Sequence, residues 1–363
     1  MSVERQDPSS TRKATALDAS LLAREPASPT APVSQLHVIA FGPGDYCELD
    51  IDKPYELNDF LGKWPVVWAN VEGVGDSKLI FSFGEVLDLH HLALEDVMNV
   101  KQRSKVEQYG RNEFIVARMV KLNGRLETEQ LSMFLGQNFV LTFQEEERPG
   151  DPFDNLRDRI RKDIGGIRSA GPDHLMYALL DAVVDAYFPV LESYGEVLED
   201  IEDEVLANPT RECIAKIHEV KRDLLTLRRA IWPMRDALNM LYREPGPLIQ
   251  DNTRVYLRDL YDHAIRIIDL LETDRELCSD LMDVYLSSVS NKLNEVMKWL
   301  TIISALFIPP TFIVGIYGMN FSTAKSPWNM PELDWYFGYP FAWLMIISAM
   351  VGFYVFVRKK GWL

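Results

Sequence analysis

Short apolar and period-two runs occur at Leu36–Phe41, Val66–Val71, Phe114–Val120 and Phe139–Phe143, each bounded by Gly, Asn or Asp. Such runs predict buried β-strands. Phe83–Val97 between them has helical spacing, so residues 35–150 are expected to form an α/β domain. After Pro152 the pattern turns helical and stays so. Asp173 to Ala207 has an apolar face through Leu179, Val183, Tyr187 and Val190, and its remainder is acidic, without Lys or Arg. Asn208-Pro209-Thr210 is a turn and helix-start signal, and the helix after it carries Arg211, Lys216, Lys221, Arg222, Arg228, Arg229 and Arg235. An acidic helix turning into a basic one predicts an antiparallel pair within residues 151–250. Two separately solvated faces are the plain alternative.

A third helix begins at Asp251-Asn252-Thr253 and meets no proline before Pro309. It runs directly into Trp299–Tyr317, a stretch without a charged side chain, and Tyr339–Val357 is a second such stretch. As a helix each would cover about 28 Å, close to the ~30 Å hydrocarbon core of a bilayer. The expected organisation is a pore-side helix over 251–317, a loop over 318–338, a second span over 339–357 and a basic tail over 358–363. Lys292 and Lys298 precede the first span and Arg358, Lys359 and Lys360 follow the second, whereas the loop carries Lys325 against Glu332 and Asp334. The positive-inside bias places both termini in the cytoplasm. Burial of both stretches inside a water-soluble core is the competing reading. Residues 1–34 are rich in Ser, Pro, Thr and charge, and are expected to be a disordered tail; Met1 to Val33 lacks the apolar segment of a signal peptide.

Stepping back from the first span by alternating threes and fours gives Glu276, Asp280, Asp283, Ser287, Ser290, Asn294, Met297, Thr301, Ser304, Ile308, Thr311 and Gly315. This 3.5-residue period puts them on one helix face. Leu257, Leu260, Ile267, Leu271, Leu281, Tyr285, Val289 and Val296 form a separate apolar stripe for packing. The first stripe stays polar inside the membrane, at Thr301, Ser304 and Thr311. Each hydroxyl alone can satisfy a backbone carbonyl or a neighbouring helix. A whole stripe extended by Asp and Asn is better explained by a water-filled path between subunits. Two spans cannot enclose a pore, so this reading requires a homo-oligomer.

The chain has 363 residues, 54 acidic against 38 basic side chains and a formal net charge of −16. This charge disfavours nucleic acid as a partner. Cys47, Cys213 and Cys278 lie far apart, which argues against a disulfide framework or a structural zinc site. His90-His91 is a poor metal pair because adjacent side chains diverge. There is no Walker motif and no Ser/His/Asp arrangement, so an enzyme is not expected.

At the outer end of the first span stands Tyr317-Gly318-Met319-Asn320-Phe321, followed by Met330-Pro331-Glu332-Leu333. Here the chain resembles the CorA-type magnesium transporters, whose signature is Tyr-Gly-Met-Asn at the end of the first of two C-terminal spans. The resemblance extends to Asp283–Thr311, Gly338-Tyr339-Pro340, Arg358-Lys359-Lys360, Leu94-Glu95-Asp96 and Tyr261-Asp262-His263, and covers Leu36 to Leu363. It implies an α+β membrane protein assembled as a homopentameric funnel. In that funnel a cytoplasmic α/β domain leads into a long helical stalk continuous with the first of two transmembrane helices.

The implied cargo is Mg²⁺, with Co²⁺ and Ni²⁺ as further ions, driven inward through the cell membrane by the membrane potential. The resemblance places the ion entry at Gly318, Met319 and Asn320, with Asn320 amides and Gly318 carbonyls gripping the hydrated ion. It gives Asn294, Thr311 and Gly315 polar contacts to the passing ion, and makes Met297, Leu300 and Ile308 hydrophobic constrictions. Asp283 offers a ring of carboxylates at the cytoplasmic end. Regulatory Mg²⁺ is implied between Asp96 of one subunit and Asp259 of the next, with Glu95 nearby. The joint from Ser322 to Asn329 is longer than in many relatives, which puts the role of Glu332 at the entrance in question. A zinc transporter of the same superfamily and a membrane-anchored divalent-ion sensor are the rival readings.

Overall fold

The computed structural model describes residues 35–145, 152–322, 325–326 and 328–361. The expected disordered tail over 1–34 lies outside them, as do Thr323, Ala324 and Pro327 of the loop. The chain divides into two compact units. The first comprises residues up to Leu198 together with His218–Leu277, and the second comprises Glu199–Ile217 and Cys278–Leu363.

The first unit opens with β1 (Gln35–Gly42), β2 (Asp45–Ile51), the short helix α1 (Asn58–Leu61) and β3 (Val66–Glu72). Next come α2 (Ser77–Leu87), α3 (His91–Met98), β4 (Lys105–Tyr109), β5 (Asn112–Leu122), β6 (Leu126–Leu135) and β7 (Phe139–Gln144). The seven strands form one sheet in the order β2-β1-β3-β7-β6-β5-β4. Only β3 and β7 run parallel; the other neighbours are antiparallel. Four strands fall where the apolar runs predicted them. β2, β4 and β6 add to these, each with a polar stretch that hides the strand pattern. β2 and β4 are the sheet edges, and the polar start of β6 pairs with β5 through Leu122↔Leu126.

The helix expected over Phe83–Val97 is two helices. Asp88 takes the left-handed conformation (φ 54°) and ends α2, and the His90 ring accepts from Leu92 N–H to start α3. α2 and α3 bury Ile80, Phe83, Leu87, Leu94 and Val97 against Val67, Val71, Phe114, Phe134 and Phe143 of the sheet. Across β3 and β7 on the opposite face runs a buried polar ladder. Trp68 Nε1 donates to Thr142 Oγ1 at 3.0 Å, Thr142 donates to Asn70 Oδ1 at 2.6 Å, and Asn70 donates to Gln144 Oε1 at 2.8 Å. Full pairing removes the penalty of burying these groups.

The helical part begins with α4 (Asp154–Lys162) and α5 (Pro172–Asp185), and α5 packs on β5, β6 and β7. It continues with α6 (Tyr187–Ala207), α7 (Arg211–Arg243), α8 (Asp251–Tyr317) and α9 (Gly338–Lys359). The acidic stretch from Asp173 is therefore two helices, separated at Ala186. In the first unit α6 and α7 are tied by Tyr194 donating to Asp223 at 2.7 Å, and α7 and α8 by Arg228 to Glu272 at 3.1 Å. In the second unit Lys216 meets Glu204 at 2.6 Å and Lys292 donates to Asn208 at 2.5 Å. Lys216 and Glu204 are thus one oppositely charged pair between α6 and α7. Tyr187 fastens α6 to the sheet by donating to the Arg118 carbonyl at 2.7 Å.

Asp274 is an exception on α8. It lies between Leu271 and Cys278 on the buried side of the helix, and burial alone pushes its carboxyl up to about 6. A raised acid pKa means that the folded state prefers the neutral form, so stability is present at low pH and lost as pH rises through about 6. Asp274→Asn is expected to raise the thermal midpoint at pH 7.5 by about 2–4 °C, after discounting for solvent screening at a half-exposed site. At pH 3, below the ordinary carboxylate range, it should leave the midpoint unchanged. Thermal melts at the two pH values check this.

Candidate functional site

Among the described residues three helical stretches are long and apolar enough to cross a membrane, but they differ in burial. The apolar window of Pro172–Ala207 is 56% buried, against 11% in Asp251–Tyr317 and 6% in Gly338–Lys359. The first is therefore core, and the two C-terminal stretches present their apolar side chains outward. Large apolar residues such as Phe307, Phe312, Trp343 and Leu344 stay exposed, as lipid contact requires.

Within the second unit Asp283, Asn294, Met297, Leu300, Thr301, Ser304, Ile308, Thr311 and Gly315 are all exposed along α8. Thr301 donates to the Met297 carbonyl and Thr311 to the Phe307 carbonyl, both at 2.8 Å. Each hydroxyl thereby spends its proton on the helix and turns its oxygen outward as an acceptor, the polarity a cation needs. α8 continues through Pro309 and Pro310, which have no N–H to give to the carbonyls of Ala305 and Leu306.

The helix ends at Tyr317, where Gly318 N–H bonds the Val314 carbonyl at 2.9 Å and Met319 N–H the Ile316 carbonyl at 3.1 Å. Gly318, Met319 and Asn320 follow, all exposed. Among the described residues the Asn320 amide has no hydrogen-bond partner. A helix C-terminus carries roughly half a negative charge from its aligned peptides, which favours a cation there. The loop returns to this end: Glu332 lines an apolar cavity of about 560 Å³ together with Tyr317, Gly318, Gly338 and Tyr339. A Cβ at Gly338 would overlap the Glu332 carbonyl, so this return needs glycine.

In the first unit Asp96 on α3 is not a free carboxylate. Lys105 Nζ lies 2.6 Å and Gln102 Nε2 2.7 Å from it, and Lys105 also reaches Glu107 at 2.7 Å. Burial works against the Lys105 charge, but the two carboxylates hold its pKa above the ordinary lysine value. Glu95 is exposed and faces His91 at 3.3 Å. Asp259 is exposed on α8, 3.8 Å from His263. His90 and His91 diverge, stacking on Tyr109 and Phe81 respectively.

The structure also assembles a group that sequence spacing did not single out. Asp181 and Asp185 on α5 and His263 on α8 bring one ligand atom each within 4.8 Å of one another. Burial and then the Asp185 charge raise the Asp181 pKa, while His263 and a hydrogen bond with Tyr177 pull it down. Tyr177 is pushed up by burial, by Asp181 and by Asp259, which links Asp259 to the same group. Asp181/Asp185 and Asp259/His263 are both i, i+4 pairs, so each was visible as a helix face. Their meeting depends on α5 packing beside α8. Crowded carboxylates and an imidazole form an oxygen-rich donor set for a divalent cation.

An α/β domain, a long helix with an exposed polar stripe and two apolar helices joined by Tyr-Gly-Met-Asn define a membrane protein with cation-binding chemistry. The chain matches the profile described as CorA-like Mg²⁺ transporter protein over residues 66–359, and it belongs to that family. It is 46% identical over 299 residues to the cobalt/magnesium transport protein CorA of Thermotoga maritima, covering 82% of this chain and 83% of that protein. Its fold is similar to the complete structure of the CorA magnesium transporter from Methanocaldococcus jannaschii, with a TM-score of 0.72 and 22% identity over 91% of this chain and 99% of that one. The cytoplasmic domain of ZntB from Vibrio parahaemolyticus shares the fold at a TM-score of 0.58 and 12% identity, over 71% of this chain and 98% of that one.

The repulsion at Asp181 predicts two effects of opposite sign for Asp181→Asn. Without divalent ions the variant should melt higher than wild type, because one of the crowded charges is gone. With saturating Mg²⁺ its gain in midpoint should be less than half the wild-type gain, which for a ligand at a hundred times its Kd corresponds to about 2.7 kcal/mol. Thermal melts with and without Mg²⁺ measure both.

Proposed function

We propose that the chain forms a homopentameric, passive pathway for Mg²⁺ influx, which also admits Co²⁺. The observation that carries this reading is the exposed Gly318-Met319-Asn320 at the C-terminal end of α8, with an uncommitted amide where the helix dipole attracts cations. Mg²⁺ sheds its water reluctantly. A ring of Asn320 amides and Gly318 carbonyls binds the hydrated ion through its outer shell without neutralising it, so the ion can leave again. Glu332 at the same end adds negative charge that draws cations to the entrance.

Beyond the entrance, Thr311, Gly315 and Asn294 give polar contacts, while Met297, Leu300 and Ile308 close the path by dewetting. Thr301 and Ser304 keep the stripe polar between them, and Asp283 attracts the emerging ion. An inside-negative potential contributes about 4.6 kcal/mol per 100 mV to a divalent ion, so no ATP-driven step is needed. The positive flanks place both termini in the cytoplasm.

Regulation resides in the α/β domain and its helices. Asp181, Asp185 and His263, with Asp259 nearby, take Mg²⁺ at the edge of the domain, and Asp96 and Glu95 of a neighbouring subunit complete the contact. Asp96 reaches the ion by giving up part of its bond with Lys105. Mg²⁺ bound there favours the closed assembly, and its loss at low cytoplasmic Mg²⁺ shifts the population to the open one. The fold shared with ZntB supports Zn²⁺ as the second reading, and His263 is a ligand that suits zinc.

The test is Mg²⁺ uptake into liposomes under an imposed inside-negative potential. Wild-type protein should carry Mg²⁺, and Asn320→Ala should lower the rate about tenfold or more, which is a loss of 1.4 kcal/mol or more. A folded wild-type oligomer that carries Zn²⁺ with a proton gradient but no Mg²⁺ would replace this reading with the zinc one.

A further inference from the structure

Residues 244–250 join α7 to α8 and are held to the rest of their unit by two buried carboxyls. Asp173 at the start of α5, 1% exposed, accepts from Gln250 N–H at 2.9 Å. Glu113 at the start of β5, 3% exposed, sets its carboxyl directly against Gly246, whose N–H favours the ionised form. The Gly246 carbonyl takes Ile249 N–H at 3.1 Å. A Cβ at Gly246 would overlap the Glu113 carboxyl, and the absence of a side chain is what permits the approach. On the far side Arg254 donates to the Tyr242 carbonyl at 2.9 Å.

Glu113 Oε2 is buried and has no hydrogen-bond partner among the described residues. An ionised carboxylate with an unpaired buried oxygen is costly, whereas a neutral carboxyl keeps the other oxygen for Gly246 at much lower cost. We propose that Glu113 and Gly246 form a proton-operated clamp on the segment from which α8 starts: the neutral carboxyl holds the loop and the ionised one releases it.

Burial raises the Glu113 pKa, the Gly246 N–H acts in the opposite direction, and no neighbouring charge contributes. The cross-strand partners are Gln108 on β4 and Leu135 on β6, both uncharged. The charged or titratable groups on the surrounding segments are Arg111 before β5, Asp173 and His174 on α5, Glu244 in the loop, and Asp251 and Arg254 on α8. Because the pKa is raised in the clamped state, the hold is complete below the ordinary carboxylate range and weakens as pH rises through the raised value.

Amide hydrogen exchange on the full-length protein in detergent tests the clamp, read as protection factors for residues 244–253 after division by the intrinsic rate at each pH. From pH 3.5, below the ordinary carboxylate range, to pH 7.0 wild-type protection should fall about tenfold, the effect of one pKa unit of coupling. Glu113→Gln, neutral throughout, should keep the acid-side protection at both pH values. Gly246→Ala should show low protection at both, with peptides from β6 and β7 unchanged as the control for folding. Flat wild-type protection, or a Glu113→Gln protein that follows wild type down, overturns the proposal. The outcome does not depend on which ion is carried.

Discussion

The hydrogen-bond ladder of α8 is the constraint on which the rest depends. Sixty-seven residues form one helix from Asp251 to Tyr317, and a lipid-facing segment has no other way to pair its backbone. The ladder is indifferent to its surroundings; the side chains are not. Leu257, Leu260, Ile267 and Leu271 bury the early part, which is needed because so long a helix is not stable alone in water. Later, Ile303, Phe307, Phe312 and Val314 are exposed and need lipid or another subunit. The same periodicity thus serves two solvents, and the polar stripe is the face that suits neither. Thr301 and Thr311 resolve that conflict locally by bonding to carbonyls one turn back.

Acidic side chains account for much of the remaining design, and their environments sort them. Some are neutralised within the chain: Arg161 holds Glu48 below the ordinary carboxylate range, and Asp96 has Lys105. Asp181 is raised by burial and then by the charge of Asp185. Glu113 and Asp274 are raised by burial rather than by a neighbouring acid. Only the crowded kind gains from a divalent ion, because only there does the ion relieve repulsion already present. A buried single carboxyl gains more from a proton. One acidic chain can therefore respond to two different cations at different places.

The apolar C-terminal stretches, the start of α8 at Asp251 and strands β1, β3, β5 and β7 were legible because each depends on local pattern. Nineteen charge-free residues and a turn-capped helix start carry their meaning within a window. β2, β4 and β6 were not legible: β2 and β4 are sheet edges, the Glu129, Gln130 and Ser132 of β6 are polar yet buried, and pairing rather than composition makes all three strands. The break at Asp88 was missed because one left-handed residue does not disturb an apolar period. The Gly318-Met319-Asn320 end was visible as a motif, and Glu332 as its distant companion. The link between Asp181 and His263 was not, because it rests on the packing of α5 beside α8, between residues about 80 positions apart in sequence. The bond between Asp96 and Lys105 joins a helix to an edge strand that the pattern had not revealed.

In the proposed function, the placement of neutral and charged oxygens follows from what each place must do with an ion. A site that senses concentration must hold its ion long enough to change a population, and several kcal/mol of binding are useful there. The proposal assigns that to the carboxylates of Asp181, Asp185 and Asp259. A site that passes ions must not hold them, because tight binding slows exit as much as it helps entry. An amide at Asn320 and the carbonyls that end α8 offer dipoles without net charge, and the fractional charge of a helix end adds attraction that fades within a turn. A carboxylate in place of Asn320 would strengthen capture and impede release. On the proposed path the polar stripe continues this logic, with hydroxyl oxygens at Thr311, Ser304 and Thr301 and no acid until Asp283, where the proposal has water take the ion back.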